Sequence, residues 1–88
     1  MDPTEAKIFA AGLNPNLSCL DLHGLYPMEA LERLELFLYK NCQAKIDVMR
    51  VVYGGGTGKL KLEILSVLRK HPLVDKIHDE GGSVIILL

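Results

Sequence analysis

Two short stretches hold residue types that can do chemistry. Asp21-Leu22-His23-Gly24 places a carboxylate and an imidazole two residues apart, and Gly54-Gly55-Gly56-Thr57-Gly58 is a glycine run followed by Lys59 and Lys61. In an Asp-x-His pair the carboxylate orients the ring, which then serves as a phosphate partner or as a general acid or base. Taken alone, the same pair also fits a strand end that bonds to a neighbouring loop. The glycine run lets backbone N–H groups approach an anion closely, and a helix that starts just after it aims the positive end of its dipole at the same point. It reads as a phosphate cradle. Gly56-Thr57-Gly58-Lys59 is not a nucleotide P-loop, because that motif needs Gly where Tyr53 stands and Ser or Thr where Leu60 stands. A nucleoside triphosphate is therefore not expected as a ligand.

The remaining candidates read more simply. His71 fits a helix C-cap and His78 a strand or turn residue, while Tyr26 and Tyr39 can stack on bases but read first as packing residues. Cys19 and Cys42 lack CxxC spacing and a nearby histidine pair, so neither a disulfide framework nor a zinc site is expected, and both read as buried, inert thiols.

The elements that must position these residues follow from periodicity. Residues 17–23 alternate apolar and polar, a half-buried strand with Leu20 and Leu22 facing the core and Cys19, Asp21 and His23 on the other face. From Pro27, the residues Ala30, Leu31, Leu34, Phe37, Leu38 and Cys42 recur at helical spacing, with Glu29 and Arg33 set for an i,i+4 pair. A second strand spans 46–53, a second helix carries Leu60, Ile64, Val67 and Leu68, a weak strand covers 73–77, and a final strand covers 83–88. Residues 1–16 read as an N-terminal extension and 17–88 as the domain. The order β-α-β-α-β-β predicts an α/β two-layer sandwich, a four-stranded mixed sheet with two helices on one face. If Ile46, Val48, Val84 and Ile86 face the helices, then Val51, Tyr53, Ile85 and Leu87 lie on an open face. Either the segment holding Ile8, Phe9 and Leu13 or a second copy would cover it.

The chain has 88 residues, 49% of them hydrophobic, and a formal net charge of −1. Such a chain buries only about 60 to 65% of its unfolded surface, so its site should be shallow. Charge is segregated: residues 1–44 hold three basic and six acidic side chains, whereas 45–76 hold seven basic and three acidic. One half can thus offer a basic surface to a polyanion. No apolar run of about 18 residues and no signal-peptide pattern is present, so no membrane association is expected and the cytoplasm is the expected location.

Leu20-Asp21-Leu22-His23-Gly24 resembles the LDLHG motif, and Gly54-x-Gly56-Thr57-Gly58 the GxGTG part of the HGxGTG motif, of the small MutS-related (Smr) domain. The resemblance covers about residues 17–88, with Pro-x-Glu-Ala-Leu opening the first domain helix and His-Pro-Leu-Val after the second. It implies a fold like the C-terminal domain of translation initiation factor three, and an association with DNA nicking, RNA cleavage and nucleic-acid binding. It also implies catalysis by Asp21 and His23, with the glycine loop supporting the substrate. This chain departs from the pattern at Tyr53, where the second motif usually begins with His. A tyrosine still donates a hydrogen bond but stays neutral near pH 7.

The expected function is thus an Smr-type endonuclease. Asp21 and His23 are the catalytic candidates, and Tyr53, Gly54, Gly56, Thr57, Gly58, Lys59 and Lys61 the phosphate-binding ones. The alternative is a DNA- or RNA-binding module without catalysis, in repair, recombination or ribosome-associated processes. If RNA is cut, its 2′-hydroxyl can act as nucleophile without a metal. If DNA is cut, water must attack and magnesium or manganese is expected. A monomer or a weak homodimer is expected.

Overall fold

The computed structural model describes residues 2–55 and 58–88. Seven elements follow one another: α1 (Pro3–Leu13), β1 (Ser18–Asp21), α2 (Pro27–Gln43), β2 (Val48–Val52), α3 (Lys59–Lys70), β3 (Lys76–Asp79) and β4 (Ser83–Leu87). The strands form one sheet in the order β1-β2-β4-β3, with β1 parallel to β2 and the other two pairings antiparallel. The expected α/β order holds from β1 onward, and α1 is an addition to it.

Helix α2 starts where Pro27 presets φ and ends where its last turn closes on Asn41, whose carbonyl receives the Ile46 N–H at 2.8 Å. Its buried stripe is Ala30, Leu34, Leu38 and Asn41, so the stripe turns polar at its end and Cys42 faces out. Asn41 is satisfied there: its side chain accepts from Ser18 Oγ at 2.9 Å and donates to the Phe37 carbonyl at 2.8 Å, tying α2 to the start of β1. Cys19 is exposed as well, so both thiols are surface groups rather than the buried ones expected. Glu29 and Arg33 form the expected pair at 3.1 Å.

The core lies between the sheet and the pair α2 and α3. Leu22, Leu34, Leu38, Met49, Val51, Ile64, Leu68, Val84 and Ile86 are fully buried in one cluster. Burying each such side chain contributes about 1.5 to 3 kcal/mol. Directly opposed residues of an antiparallel pair share a face, and Met49 stands opposite Ile86 and Val51 opposite Val84. This reverses the expected facing of β2 while keeping that of β4. Ile46 belongs to the turn after α2, where Lys45 has a φ of 61°, and the even-numbered Arg50 needs the other side, where Glu80 receives its guanidinium at 3.0 Å.

That other side is not open. Helix α1 packs on β2 and β4, with Ala11 and Ile85 buried beneath it, so the sheet carries helices on both faces. Arg50 also reaches the Gly12 carbonyl, and Lys7 pairs with Asp47. Of the three residues expected to form this cover, Ile8 is half-buried while Phe9 and Leu13 remain exposed. Strand β3 starts later than expected because Leu73 and Val74 belong to the turn after α3: the Val74 N–H bonds the His71 carbonyl, and the Leu73 N–H bonds His71 Nδ1. Among the described residues no helix is long and apolar enough to cross a membrane.

Candidate functional site

Because β1 and β2 are parallel neighbours, both end at the same edge of the sheet, where open α/β sheets bind ligands. Asp21 pairs with Val52, and the Leu22 N–H extends the ladder to the Val52 carbonyl at 2.7 Å. The chain then turns sharply, with Leu25 N–H bonded to the Leu22 carbonyl and Gly24 at a φ of +77°. His23 occupies the corner of that turn.

Asp21 Oδ1 receives both the backbone N–H of His23 at 3.0 Å and the ring Nδ1 at 2.8 Å. These bonds hold the Asp21 carboxyl below the usual carboxylate range, the ring bond contributing most. An ionised carboxylate only accepts, so Nδ1 carries a proton and Nε2 is the nitrogen left to meet a ligand. Both side chains are open to solvent, at 71% and 55% exposure. The expected pair is formed, but across the end of β1 and not on one strand face, because the strand stops at Asp21 and His23 lies in the turn.

Gly54 stands against this pair. It has a φ of +78°, and a Cβ placed on it would lie 3.2 Å from His23 Cβ, so glycine is needed for both the backbone conformation and the close approach. Its N–H is not free for a phosphate: the Gly82 carbonyl receives the N–H groups of both Tyr53 and Gly54, at 3.1 and 3.0 Å. Gly54 thus positions the loop beside His23. The loop feeds α3 through Gly58, at a φ of +81°, with no capping side chain. The first turn of α3 has no acidic residue but carries Lys59 and Lys61, so positive side chains meet the positive end of the helix dipole. An anion at this point relieves that repulsion. Gly56 and Thr57 lie outside the described residues. His23, Gly24, Leu25, Gly54, Gly58 and Leu60 line an open groove of about 550 Å³.

Tyr53 and Lys61 are turned elsewhere. Tyr53 is 4% exposed, and its hydroxyl lies 2.9 Å from Asp79 Oδ1 and 3.1 Å from the Ser83 carbonyl. Burial, and then the Asp79 carboxylate, push the phenol above its ordinary value, so it stays a neutral donor. Lys61 pairs with Asp79 Oδ2 at 3.0 Å and lies over the Tyr53 ring. Asp79 also accepts the Gly81 N–H at 2.8 Å. The Gly81 N–H first, then Lys61 and Tyr53, hold Asp79 at about 2 instead of 3.8. Only the Gly81 bond is local to Asp79, whereas Tyr53 and Lys61 are distant in sequence, so the pattern around Asp79 does not mark it as a hub. A lowered pKa stabilises the fold above the unfolded value, and that contribution is lost as pH falls from about 3.8 toward about 2. Asp79→Asn is therefore expected to destabilise most at neutral pH, with the gap to wild type closing below pH 4, as urea titrations across that range would read.

The basic surplus of residues 45–76 is dispersed. Arg50 is held by Glu80 and Lys61 by Asp79, and Arg69 and Lys70 lie at the far end of α3, about 15 Å from its first residue. The electropositive point at the groove is the α3 N-terminus. Among the described residues no three or more His, Cys, Asp or Glu side chains gather as a group that could hold a metal ion.

The family model described as the Smr domain matches residues 20–87. Endonuclease MutS2 of Thermomicrobium roseum is 46% identical over 55 residues, which are 62% of this chain and 7% of that protein. Ribosome rescue factor SmrB of Aeromonas hydrophila is 34% identical across 96% of this chain and 51% of its own length. The chain thus spans from under a tenth to about half the length of these relatives. The crystal structure of the Smr domain of Thermus thermophilus MutS2 is similar with a TM-score of 0.78 at 29% identity, over 82% of this chain and 98% of that one. The solution structure of the B3BP Smr domain is similar with a TM-score of 0.67 at 26% identity, over 94% and 87% of the two chains. With the family model covering most of its length and the same fold in both structures, the chain belongs to the Smr domain family.

Proposed function

We propose that this domain cleaves phosphodiester bonds in nucleic acid, with His23 as the proton-transferring group. The observation that carries the reading is the Asp21–His23 hydrogen bond at 2.8 Å, which orients an exposed imidazole beside Gly54 at the mouth of the groove. A phosphate docked at the α3 N-terminus, with Lys59 adding charge, brings its ester oxygens to Nε2. Neutral His23 takes a proton at Nε2 from an attacking hydroxyl, and protonated His23 returns one to the leaving oxygen. An RNA strand brings its own nucleophile in the 2′-hydroxyl, which makes RNA the simpler substrate for a site whose reacting group is a proton-transferring imidazole. The names of the similar proteins, an endonuclease and a ribosome rescue factor, agree with action on nucleic acid.

A second reading, docking without cleavage, is favoured by Tyr53. At the position where the motif usually begins with His, this chain has a phenol committed to Asp79. Asp21→Asn separates the two readings, because it removes a negative charge near the substrate while undoing the orientation of His23. Cleavage of labelled single-stranded RNA and of supercoiled plasmid, with magnesium, manganese or chelator, is expected to be lost in this variant. Binding, read by anisotropy, is expected to be kept or strengthened. Wild type that binds with salt sensitivity but cuts neither substrate would establish the docking reading.

A further inference from the structure

Tyr26 does not pack. It is 83% exposed, whereas the pattern of the sequence reads it first as a packing residue. Its place is also specific. It follows Leu25, the last residue of the turn that carries His23, and it is the N-cap of α2. Three residues span at most about 11 Å, so the Tyr26 backbone lies that close to the proton-transferring residue.

The backbone under this side chain is held on both sides. The Leu25 N–H bonds the Leu22 carbonyl before it, and the Tyr26 carbonyl receives the Ala30 N–H at 2.9 Å after it. Pro27 confines the residue before it to extended conformations, and Tyr26 has φ −70° and ψ 150°. The side chain makes no capping bond to the helix it precedes. A rigid aromatic on a fixed backbone, with only two torsions to order, presents a flat apolar face at low entropic cost.

We infer that Tyr26 is the platform on which an unpaired nucleobase stacks beside the phosphate held at His23, so that the substrate is a single strand. This rests on the reading of His23 and the glycine loop as the phosphate site. Base–aromatic stacking tolerates any base because every base has a π-face, and a duplex hides those faces in its own stack. The groove offers the His23 ring and glycine backbone to the phosphate, its other ring, Tyr53, is buried in its wall, and Tyr26 is the exposed ring that follows the lining residue Leu25 in the chain. Tyr39, 58% exposed, is on the same helix about 20 Å farther along the axis and serves as the control.

The chain has no tryptophan, so Tyr26→Trp introduces a single indole whose emission reports on stacking. Titrating this variant with a short single-stranded RNA is expected to quench the emission, and a blunt duplex of the same sequence to leave it nearly unchanged. Tyr26→Ala is expected to weaken single-strand binding by about 5- to 100-fold, seen in KM rather than kcat where cleavage is followed. Tyr26→Phe is expected to keep the affinity, Tyr39→Ala to change nothing, and all variants to melt with wild type. An indole that no single strand quenches, or unchanged binding by Tyr26→Ala, overturns the platform, as does quenching by the duplex to the same extent. Binding is read without turnover, so quenching in a protein that never cuts upholds the platform and removes the nuclease reading. Cleavage with unchanged KM in Tyr26→Ala does the reverse.

Discussion

His23→Ala is expected to lower the cleavage rate by about 10²- to 10⁴-fold, the usual contribution of a positioned general acid or base, while leaving the fold intact. The imidazole is 71% exposed and, among the described residues, its side-chain bond goes to Asp21, itself exposed, so its removal creates no cavity and strands no buried group there. Substrate affinity should change little, because on the proposed reading the phosphate docks at the start of α3. Parallel measurement of cleavage, binding and melting separates these effects. A loss of rate that came with an equal loss of binding would assign His23 to docking instead.

Gly54→Ala is the second large effect and acts through geometry. A Cβ at this position meets His23 Cβ at 3.2 Å, on a backbone already at a φ of +78°. A left-handed conformation costs a non-glycine residue about 1 to 2 kcal/mol. For a domain of this size that lowers Tm by about 5 to 15 °C. The contact also asks the His23 turn to give by a few tenths of an ångström, and since a misplacement of about 1 Å at a reacting group can cost roughly 100-fold in rate, a smaller part of that loss is expected. Gly55→Ala is the matched control, since its Cβ would meet nothing within 4 Å and its φ is not in the left-handed region. Thermal melts and cleavage rates of the two variants are expected to differ sharply, with Gly55→Ala close to wild type in stability.

The parts of the fold legible in the sequence are those where one periodicity dominates. The alternation through Leu20 and Leu22, the helical stripe of Ala30, Leu34 and Leu38, and the apolar strand from Val84 each match a buried face in the structure. The segment of α1 was legible as one of two possible covers, but not the face by which it covers. Its buried face comes down to Ala11 with the half-buried Ile8, while its largest apolar residues, Phe9 and Leu13, face outward. Strand β2 carries apolar residues on both faces, Val48 and Val52 beside Arg50 on one and Met49 and Val51 on the other, so periodicity alone does not say which face meets which layer. The ion pair between Arg50 and Glu80 decides it, and partners so far apart in the chain leave no local mark. The cysteines mislead because a thiol reads as apolar, yet at Cys42 the helical stripe has already passed to Asn41.

The site was legible as two motifs, and the parallel register of β1 and β2 supplies what the motifs lack, the reason they meet. What the motifs conceal is the division of work within the second one. Of its residues, Gly54 gives its N–H to Gly82, Tyr53 gives its hydroxyl to Asp79, and Lys61 is paired with the same carboxylate. Tyr53, Lys61, Asp79 and Gly81 form a network at the base of the loop, behind the groove. Residue types alone do not distinguish a hydroxyl or ammonium aimed at a ligand from one aimed at a neighbouring turn.

Chemical rescue tests the role of His23 most directly. Cleavage of a labelled single-stranded RNA by His23→Ala would be followed in increasing concentrations of added imidazole, beside wild type under the same conditions. If Nε2 of His23 transfers the proton, the lost rate returns in part, in proportion to the imidazole occupying the vacated place beside Asp21. Cleavage by His23→Ala at the wild-type rate, with imidazole making no difference, would contradict the assignment of His23 as the proton-transferring group.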